Sequence, residues 1–592
     1  MREQIQKLRE VMKKYGMDAW VAPTADAHQS EYVGDHDQCR AYLSGFTGSA
    51  GTLVVLKDRA ALWVDGRYFV QGRKQLEGSG IDLMEMGEKK VPTLLEYLKE
   101  NLSIGETLGF YAKLFGAGEG EQWEKELHGI QMRTDVDIVD EVWLDRPARS
   151  AKKVWRIDAY CGEDTKSKLE RVRKEMRENR ADVLLACSLS DIAWLTNLRG
   201  DDIECNPLFL SYLAIEEEHC TLFIQSCAMS EEIANYLKDQ GIETAEYDDW
   251  NQFVKKLKGR KILLDQKDCD YQTLCDARKD NEFIFVVSPL ALMKIVKNDT
   301  EIANMRKSHV RDGVYMVKYI KWIKESVKRG EKINEVEASD YLDNLRLKDE
   351  IGGLGVELSF DTISGYASNA AIVHYKANRE TAAILEPRGL YLFDSGAQYK
   401  DGTTDVTRTI ALGETSDIEK QDYTLTTIGM LRLLNARFKE GARGYNLDTY
   451  ARMKMWEYGR DFNHGTGHGV GFCNTVHEGP NSIRLTPNPD PRRDVVIREN
   501  MVVSDEPGIY IEGSHGIRVE NLVVSVKDEQ EGFLHFDSLT IVPLDPEPLN
   551  VDIMEERDKQ LYNEYQAMVY KTLSPYLDDE EKKWLLNETR AI

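Results

Sequence analysis

Two histidines lie four residues apart in a glycine-rich segment of the chain. Residues 463–470 read N-H-G-T-G-H-G-V and contain His464 and His468. Glycine occupies every second position from 465 to 471, which disfavours an ordinary helix and predicts a backbone that bends sharply and approaches a ligand closely. Because imidazoles bind metals and transfer protons, the segment predicts a metal site or a substrate site; a turn that carries polar side chains is the alternative.

Two carboxylates lie in or next to the strand-like segments that precede this histidine pair. Asp394 follows the apolar run 390–393, and Asp405 lies eleven residues later in the polar run 402–407. A tight turn at residues 401–402 would set these two acids several positions out of register. We therefore expect a wider loop or a β-bulge to bring both carboxylates to one site.

Two more carboxylates follow the histidine pair. Glu506 precedes Pro507, which disfavours helix at Glu506 and keeps the chain extended. Glu520 lies in the alternating run 517–522, in which Arg518 and Glu520 share one face of a predicted strand. Both acids are thus expected on strands near the histidines.

Together these residues form a candidate set of metal ligands with four carboxylates and one imidazole. If they converge, their negative charge cannot be buried without cations, and two divalent metal ions would neutralise it. Oxygen-rich sets with one imidazole suit Mn²⁺, and Co²⁺ or Zn²⁺ also bind such ligands. Paired metals activate water and polarise a carbonyl, which is hydrolase chemistry. The candidate ligands are Asp394, Asp405, His468, Glu506 and Glu520.

The elements that position these residues fall into four predicted domains. Residues 1–146 and 147–295 repeat one plan of a charged helix followed by apolar strands, which predicts two copies of one α/β fold. Residues 296–545 alternate long helices with short strands and predict an α+β domain. Residues 546–592 form a helical extension for packing or subunit contact.

Within the α+β domain the sequence predicts particular helices and strands. A helix from 298 to about 330 is expected to be capped by Asp299 or Thr300, and a second helix is expected over 417–439. Alternating apolar residues predict strands over 390–398, 403–412, 501–511 and 516–526.

Bulk composition bounds the possible partners and compartment. The formal net charge of −25 repels phosphates and anionic lipid, so nucleic acid and membranes are not expected partners. No segment approaches the length of a membrane span, and the charged N-terminal helix pattern over residues 1–16 shows no secretory signal. The nine cysteines are scattered singly without a C-x-x-C pair, which is typical of reduced thiols. These features predict a cytoplasmic protein.

Several motifs of the chain resemble those of one family of metallopeptidases. They are F-T-G-S-A-G (46–51), W-V-D-G-R-Y-F (63–69), I-A-W-L-T-N-L-R-G (192–200), A-I-V-H-Y (371–375), D-S-G-A-Q-Y (394–399), T-T-D-V-T-R-T (403–409), H-G-T-G-H-G-V-G (464–471), V-H-E-G-P (476–480), E-P-G-I-Y (506–510) and G-I-R-V-E-N (516–521). The chain resembles the aminopeptidase P family in its long, three-domain cytosolic form. The resemblance implies two creatinase-N-like α/β domains followed by a catalytic domain with the pita-bread fold.

The resemblance also implies separate roles for the candidate ligands. Asp394 matches a ligand of one metal, and His468 with Glu506 matches ligands of the other. Asp405 and Glu520 match the pair of carboxylates that bridges both metals.

Four further residues receive substrate-side roles from the same resemblance. His464 becomes a substrate histidine rather than a ligand, together with His374 and His477, and the three are expected to hold the scissile carbonyl and support proton transfer. Arg518 is expected to orient carboxylates or substrate, with a structural ion pair as the alternative. Glu506 is expected to act also as a proton shuttle.

The implied activity is removal of an N-terminal residue that precedes proline, by water that two metals activate. A homodimer is implied by the resemblance. The alternatives are a prolidase restricted to X-Pro dipeptides and a non-catalytic peptide- or histone-binding protein on the same fold. The retained ligand set disfavours both the binding protein and a metal-free creatinase-like enzyme.

Overall fold

The computed structural model describes residues 2–592, which form two compact units. The first unit contains the chain up to residue 290, except for residues 159–162 and 205–207. Those two short segments belong with residues 291–592 to the second unit. Among residues 2–592, every helix is too short or too polar to cross a membrane.

The first unit contains two six-stranded sheets of identical topology. Counted along the chain within each sheet, the strand order is 4-3-2-1-5-6. In both sheets strand 2 is antiparallel to strands 1 and 3, whereas the pairs 1–5, 5–6 and 3–4 are parallel. The prediction of two copies of one α/β fold is therefore confirmed. The first sheet consists of Ala19–Pro23, Thr52–Leu56, Ala60–Val64, Asp82–Glu85, Thr107–Phe110 and Gln131–Arg133. The second consists of Val183–Ala186, Ser211–Glu216, Cys220–Ile224, Glu243–Ala245, Lys261–Leu264 and Glu282–Phe285.

Most helices of the first unit bury one apolar face, whereas Leu189–Thr196 is buried on nearly all sides. In the opening helix Glu3–Lys14, for example, Ile5, Leu8 and Met12 recur at helical spacing and are buried. The other helices of this unit are Cys39–Ser44, Phe69–Leu76, Leu94–Asn101, Ala117–Glu126, Thr165–Glu178, Leu189–Thr196, Glu231–Asp239, Trp250–Lys256 and Tyr271–Ala277. Two short helices, Asp158–Cys161 and Pro289–Lys294, contain residues of both units.

The long helix of the second unit is Asp299–Lys328. The prediction that Asp299 or Thr300 caps it is wrong, because Asn298 is the N-cap. The Asn298 side chain accepts a hydrogen bond from the Glu301 backbone N–H at 3.0 Å, and the Glu301 carboxylate accepts one from the Asn298 N–H at 2.9 Å. This reciprocal pair satisfies two backbone donors that the first helical turn leaves open.

The second predicted helix is shorter than the sequence suggests. It ends at Leu434 rather than at residue 439, because Arg437–Lys439 forms a strand that pairs with Phe533–Ser538. The helices after the long one are Glu335–Lys348, Asp417–Leu434, Gly444–Glu457, Glu556–Leu573 and Asp579–Glu588.

The four predicted β-runs all contain strands, and each is divided into two. One three-stranded sheet orders Ile363–Tyr366, Leu390–Ser395 and Val406–Ala411, and another orders Gly355–Leu358, Ala397–Tyr399 and Gly402–Thr403. A six-stranded sheet orders Arg437–Lys439, Phe533–Ser538, Asn521–Lys527, Val502–Asp505, Gly467–Gly469 and Glu478–Ile483. Gly508–Ile511 pairs with His515–Arg518.

The hairpin that carries Asp394 and Asp405 differs from the prediction. Asp394 pairs with Thr407, and farther along the same hairpin Gln398 pairs with Thr403, so the register is constant and no bulge intervenes. Asp405 lies two residues before Thr407, in the short stretch 404–405 that separates the two paired strands. The expected wider loop is not needed, because diagonal cross-strand neighbours are already close enough to converge.

The C-terminal extension packs onto the core of the second unit. Leu561, Tyr565, Val569 and Leu573 of the helix Glu556–Leu573 are all buried there. Leu585 of the last helix joins the same cluster.

Candidate metal centre and active site

A carboxylate–imidazole cluster lies where the sheets of the second unit meet. Asp405, His468 and Glu520 each offer one ligand atom within 4.8 Å of the others. His468 Nε2 lies 3.4 Å from Asp405 Oδ2. Asp405 and Glu520 are almost fully buried, whereas the His468 side chain keeps 21 % of its exposure. The cluster thus has one side accessible from outside.

Glu506 joins the cluster from the end of the strand Val502–Asp505. Its Oε1 lies 3.4 Å from His468 Nε2 and accepts a hydrogen bond from the Ser504 hydroxyl at 2.9 Å. The Glu506 backbone N–H donates to the Thr466 carbonyl, which connects Glu506 to the glycine-rich segment 463–470. Glu506 and His468 therefore face each other across two neighbouring strands.

Asp394 reaches the same region through a buried ion pair. Arg518 Nη2 donates to Asp394 Oδ2 at 2.7 Å, while Asp394 Oδ1 is buried without a hydrogen-bond partner. The Thr407 hydroxyl donates to Glu520 Oε2 at 2.7 Å and accepts from Arg518 Nε at 3.1 Å. The structure thus brings together all five predicted ligands.

The electrostatics of the cluster show an excess of buried negative charge. Burial raises the pKa of Glu520, and the carboxylates of Asp405, Glu506 and Asp394 raise it further. Burial also raises the pKa of Asp394 and Glu506, although Arg518 and His468, respectively, oppose the shift.

His468 responds in the opposite sense. Burial lowers the pKa of its imidazole, but the Asp405 and Glu506 carboxylates outweigh this effect and raise the pKa to about 9. The side chains at the centre therefore attract protons or other cations.

The residues present fit divalent cations. His468 Nδ1 lies 2.9 Å from the Gly469 carbonyl, an arrangement that leaves Nε2 free to be a ligand. Glu520 Oε1, like Asp394 Oδ1, is a buried oxygen without a hydrogen-bond partner. Buried polar atoms without partners are uncommon, and a carboxylate oxygen of this kind is suited to metal coordination.

The glycines of the segment 463–471 do not produce the sharp backbone bends that the sequence predicted. None of the glycines at 465, 467, 469 and 471 has a positive φ, so the loop does not depend on sharp left-handed bends. A Cβ on Gly467 would lie 1.8 Å from the Ser504 carbonyl oxygen, and one on Gly469 would lie 2.2 Å from the Glu478 carbonyl oxygen. These glycines allow close approach of neighbouring strands, which holds His468 beside Glu506.

His464 belongs to a separate hydrogen-bonded network. Its Nε2 lies 2.9 Å from the Tyr510 hydroxyl, which also accepts a hydrogen bond from Arg518 Nη1 at 2.8 Å. Burial raises the pKa of Tyr510 to about 12, although Arg518 opposes the shift. Since Arg518 also pairs with Asp394, the network connects His464 to the carboxylate cluster through two side chains.

The other two predicted histidines lie close to this centre. The His477 ring packs edge to face on His468, with ring centroids 4.3 Å apart. His374 directly follows Val373, whose carbonyl accepts a hydrogen bond from Arg518 Nη2 at 3.4 Å. Both imidazoles are half-buried, as is that of His464.

Sequence reasoning assigned no role to three residues that hold this site together. Tyr510 bridges His464 and Arg518, Thr407 bridges Glu520 and Arg518, and Ser504 holds Glu506. Tyr510 and Thr407 lie in motifs that carried the family resemblance, and only this membership could have indicated their importance from the sequence.

Models of known families match almost the whole chain. Two models described as Creatinase/Prolidase N-terminal domain match residues 4–142 and 145–301. Metallopeptidase family M24 matches residues 303–527, and the C-terminal region of the same peptidases matches residues 532–592. Fold and site together define a metallopeptidase with a pita-bread catalytic domain.

Relatives match the chain over its full length. The Aminopeptidase P2 of Arabidopsis thaliana is 36% identical over 100% of this chain and 88% of its own length. A probable Xaa-Pro aminopeptidase P of Laccaria bicolor is 37% identical over 100% of this chain and 93% of its own. The chain belongs to the aminopeptidase P family and is an enzyme.

Solved structures extend the likeness to the three-dimensional fold. The X-prolyl aminopeptidase of Caenorhabditis elegans, described as a cytosolic enzyme with a di-nuclear active site, has a TM-score of 0.94 at 32% identity and covers 100% of this chain and 99% of its own. An Xaa-Pro dipeptidase from Bacillus anthracis, at 24% identity and a TM-score of 0.50, covers 64% of this chain and 99% of its own and shares the fold alone.

Proposed function

We propose that this enzyme removes the N-terminal residue from peptides whose second residue is proline. The carrying observation is the convergence of Asp405, His468, Glu506 and Glu520, with Asp394 beside them, in a chain whose full-length relatives are named for this activity. An X-Pro bond has no amide N–H and a fixed φ, so its cleavage requires a dedicated site.

Five residues are proposed to hold two divalent cations. Asp394 is proposed to bind one cation, His468 and Glu506 the other, and Asp405 and Glu520 both. When bound, such a pair polarises a carbonyl and lowers the pKa of a water molecule. Mn²⁺ is proposed as the ion, with Co²⁺ and Zn²⁺ as alternatives, because carboxylate oxygens dominate the donor set.

The remaining polar side chains are proposed to bind substrate and move protons. His464, His374 and His477 are half-buried and are proposed to contact the scissile carbonyl and its surroundings. Glu506 is proposed to accept a proton from the attacking water and return it to the leaving proline nitrogen. Arg518 donates hydrogen bonds to Asp394, Thr407, Tyr510 and the Val373 carbonyl, and it is proposed to orient Asp394 or the substrate.

Hydrolysis of matched peptides tests the reaction. We expect the metal-loaded enzyme to cleave Ala-Pro-Ala and longer X-Pro peptides after the first residue, and to leave Ala-Ala-Ala intact. Activity confined to the dipeptide Ala-Pro would identify a prolidase instead. Binding of X-Pro peptides without hydrolysis would identify a non-catalytic peptide-binding protein.

Four further features are proposed with this function. The chain is proposed to be a cytoplasmic homodimer, which the solution mass from light scattering and cell fractionation would test. Its proposed domain boundaries are near residues 146, 295 and 545. Limited proteolysis with fragment mapping would locate these boundaries. The two N-terminal domains are proposed to cover the active site or mediate dimerisation rather than to take part in the chemistry.

A further inference from the structure

Glu335 is a fully buried carboxylate in the second unit, outside the ligand cluster. It is the first residue of the helix Glu335–Lys348, and 0% of its surface is exposed. The four groups that donate hydrogen bonds to it are all uncharged. The Tyr366 N–H and the Asn369 amide donate to Oε1, at 2.7 and 2.9 Å respectively. The Ala383 N–H and the Tyr375 hydroxyl donate to Oε2, at 2.8 and 3.0 Å respectively.

These donors all belong to one segment, residues 366–383. Tyr366 and Ala383 are its two ends, while Asn369 and Tyr375 lie within it and are joined by a further hydrogen bond of 3.0 Å. The Glu335 backbone N–H also donates to the Ala383 carbonyl at 3.1 Å. One carboxylate therefore joins the start, the middle and the end of the segment.

The same segment carries His374 to the active site. Val373, the preceding residue, accepts a hydrogen bond from Arg518 Nη2. Gly516 lies so close to the Ala370 carbonyl oxygen that a Cβ there would be 1.8 Å from it. The segment is thus held between Glu335 on one side and the strand of Arg518 on the other.

The chemistry of this anchor requires a carboxylate. Glutamate accepts at all four positions, and the N-terminal end of a helix favours its negative charge. A glutamine amide accepts through one oxygen only, and its NH₂ group would face two of the donors. The substitution Glu335→Gln keeps the shape of the side chain, but in either orientation its NH₂ group faces one backbone N–H, of Tyr366 or of Ala383, so at least one of these hydrogen bonds is lost.

We propose that Glu335 is a positioning residue that holds the segment 366–383 so that the imidazole of His374 faces the substrate. This inference rests on the role proposed above for His374. It predicts that the carboxylate of Glu335 affects turnover without contacting substrate or metal.

Kinetics of Glu335→Gln test the proposal, with Glu337→Gln as the matched control. Glu337 lies on the same helix and is exposed, and its carboxylate accepts only the Asn334 N–H of the capping box, which glutamine also satisfies. We expect Glu335→Gln to lower kcat by about 10- to 100-fold, with KM and metal content nearly unchanged, because a small misplacement of a catalytic group has a large effect on rate. Glu337→Gln should retain normal kcat.

A milder variant keeps the proposal testable if Glu335→Gln does not fold. Tyr375→Phe removes one hydroxyl donor and is expected to lower kcat several-fold while Glu335 keeps its other partners. In hydrogen exchange, both variants should lose protection of residues 366–383 and retain protection in Asp299–Lys328. Unchanged exchange in residues 366–383, or normal kcat in both variants, would overturn the proposal.

A double-mutant cycle separates positioning from general stability. If Glu335 acts through His374, adding Glu335→Gln to His374→Ala should produce no further loss of kcat. A further loss equal to that of the single substitution would show that Glu335 acts elsewhere. If His374→Ala alone retains normal kcat, the role of His374 fails, while the hydrogen-exchange result still reports whether Glu335 holds the segment.

Discussion

The imidazoles of His464 and His468 lie four residues apart in one segment of the chain and have different partners. His468 Nε2 lies 3.4 Å from both Asp405 and Glu506 carboxylate oxygens, whereas His464 Nε2 lies 2.9 Å from the Tyr510 hydroxyl. Close approach of the strands around Gly467 holds His468 in the carboxylate cluster. The pair is therefore divided between the carboxylate cluster and the hydrogen-bonded network around Tyr510.

Substitution of the two histidines should separate these roles. We expect His468→Ala to lower metal content, because it removes the only imidazole in the ligand set. His464→Ala should retain metal and lower kcat about 100-fold, the size typical of lost proton-transfer or oxyanion stabilisation. Metal content by mass spectrometry and kcat on one X-Pro tripeptide check both outcomes. Loss of metal in His464→Ala with full retention in His468→Ala would reverse the assignment.

Asp405 lies opposite His468 and is proposed to bridge the two cations. Asp405→Asn keeps the shape of the side chain but removes one negative charge, so we expect occupancy of both metals to fall and kcat to drop at least 100-fold. Asp417→Asn, an exposed residue in the first turn of a helix, is the control and should behave as wild type. Normal occupancy of two metals together with a normal rate in Asp405→Asn would refute the bridging role.

Tyr510 connects His464 to Arg518 through one hydroxyl. Tyr510→Phe removes this hydroxyl and leaves the ring, so we expect kcat to fall by roughly tenfold through misplacement of His464 and Arg518. Metal content should remain at the wild-type value, since Tyr510 is not a proposed ligand. If kcat is unchanged, the hydroxyl has no part in turnover; if metal is lost, Arg518 requires Tyr510 to hold Asp394.

Metal affinity should depend on pH through His468. Its pKa of about 9 means that the imidazole is protonated at neutral pH in the metal-free enzyme, so a metal must displace a proton there. We expect the apparent Kd for Mn²⁺ to fall at least about tenfold per pH unit as pH rises from about 7 to 9, because His468 releases one proton and any protonated ligand carboxylate releases another. Calorimetric titration over this range measures the slope.

The thermal stability of the metal-free enzyme should also depend on His468, but it should fall over the pH range in which metal affinity rises. A raised histidine pKa contributes stability that is fully present below pH 6.5 and is lost as pH rises through about 9. Thermal unfolding with chelator should therefore show a falling Tm over this interval, while metal-loaded enzyme is less affected. A Kd and a Tm that are both independent of pH would contradict the pKa of His468.

Local sequence patterns determined much of the fold and the choice of candidate ligands in this protein. The two α/β repeats and the strands of the catalytic domain were predictable, because the alternation of apolar residues is visible in short segments. The chemical types of the donor groups are also visible there, and they selected the five candidate ligands that the structure brings together. The errors were local too: Asn298 rather than Asp299 caps the long helix, and the second helix ends at Leu434.

Only the tertiary structure decided how these residues meet. A constant hairpin register brings Asp394 and Asp405 close together, Tyr510 divides its hydrogen bonds between His464 and Arg518, and Glu335 accepts hydrogen bonds from several residues of one segment. Each arrangement depends on contacts between residues that are distant along the chain. Periodicity and composition carry no information about such contacts, because they arise only when the strands and helices pack.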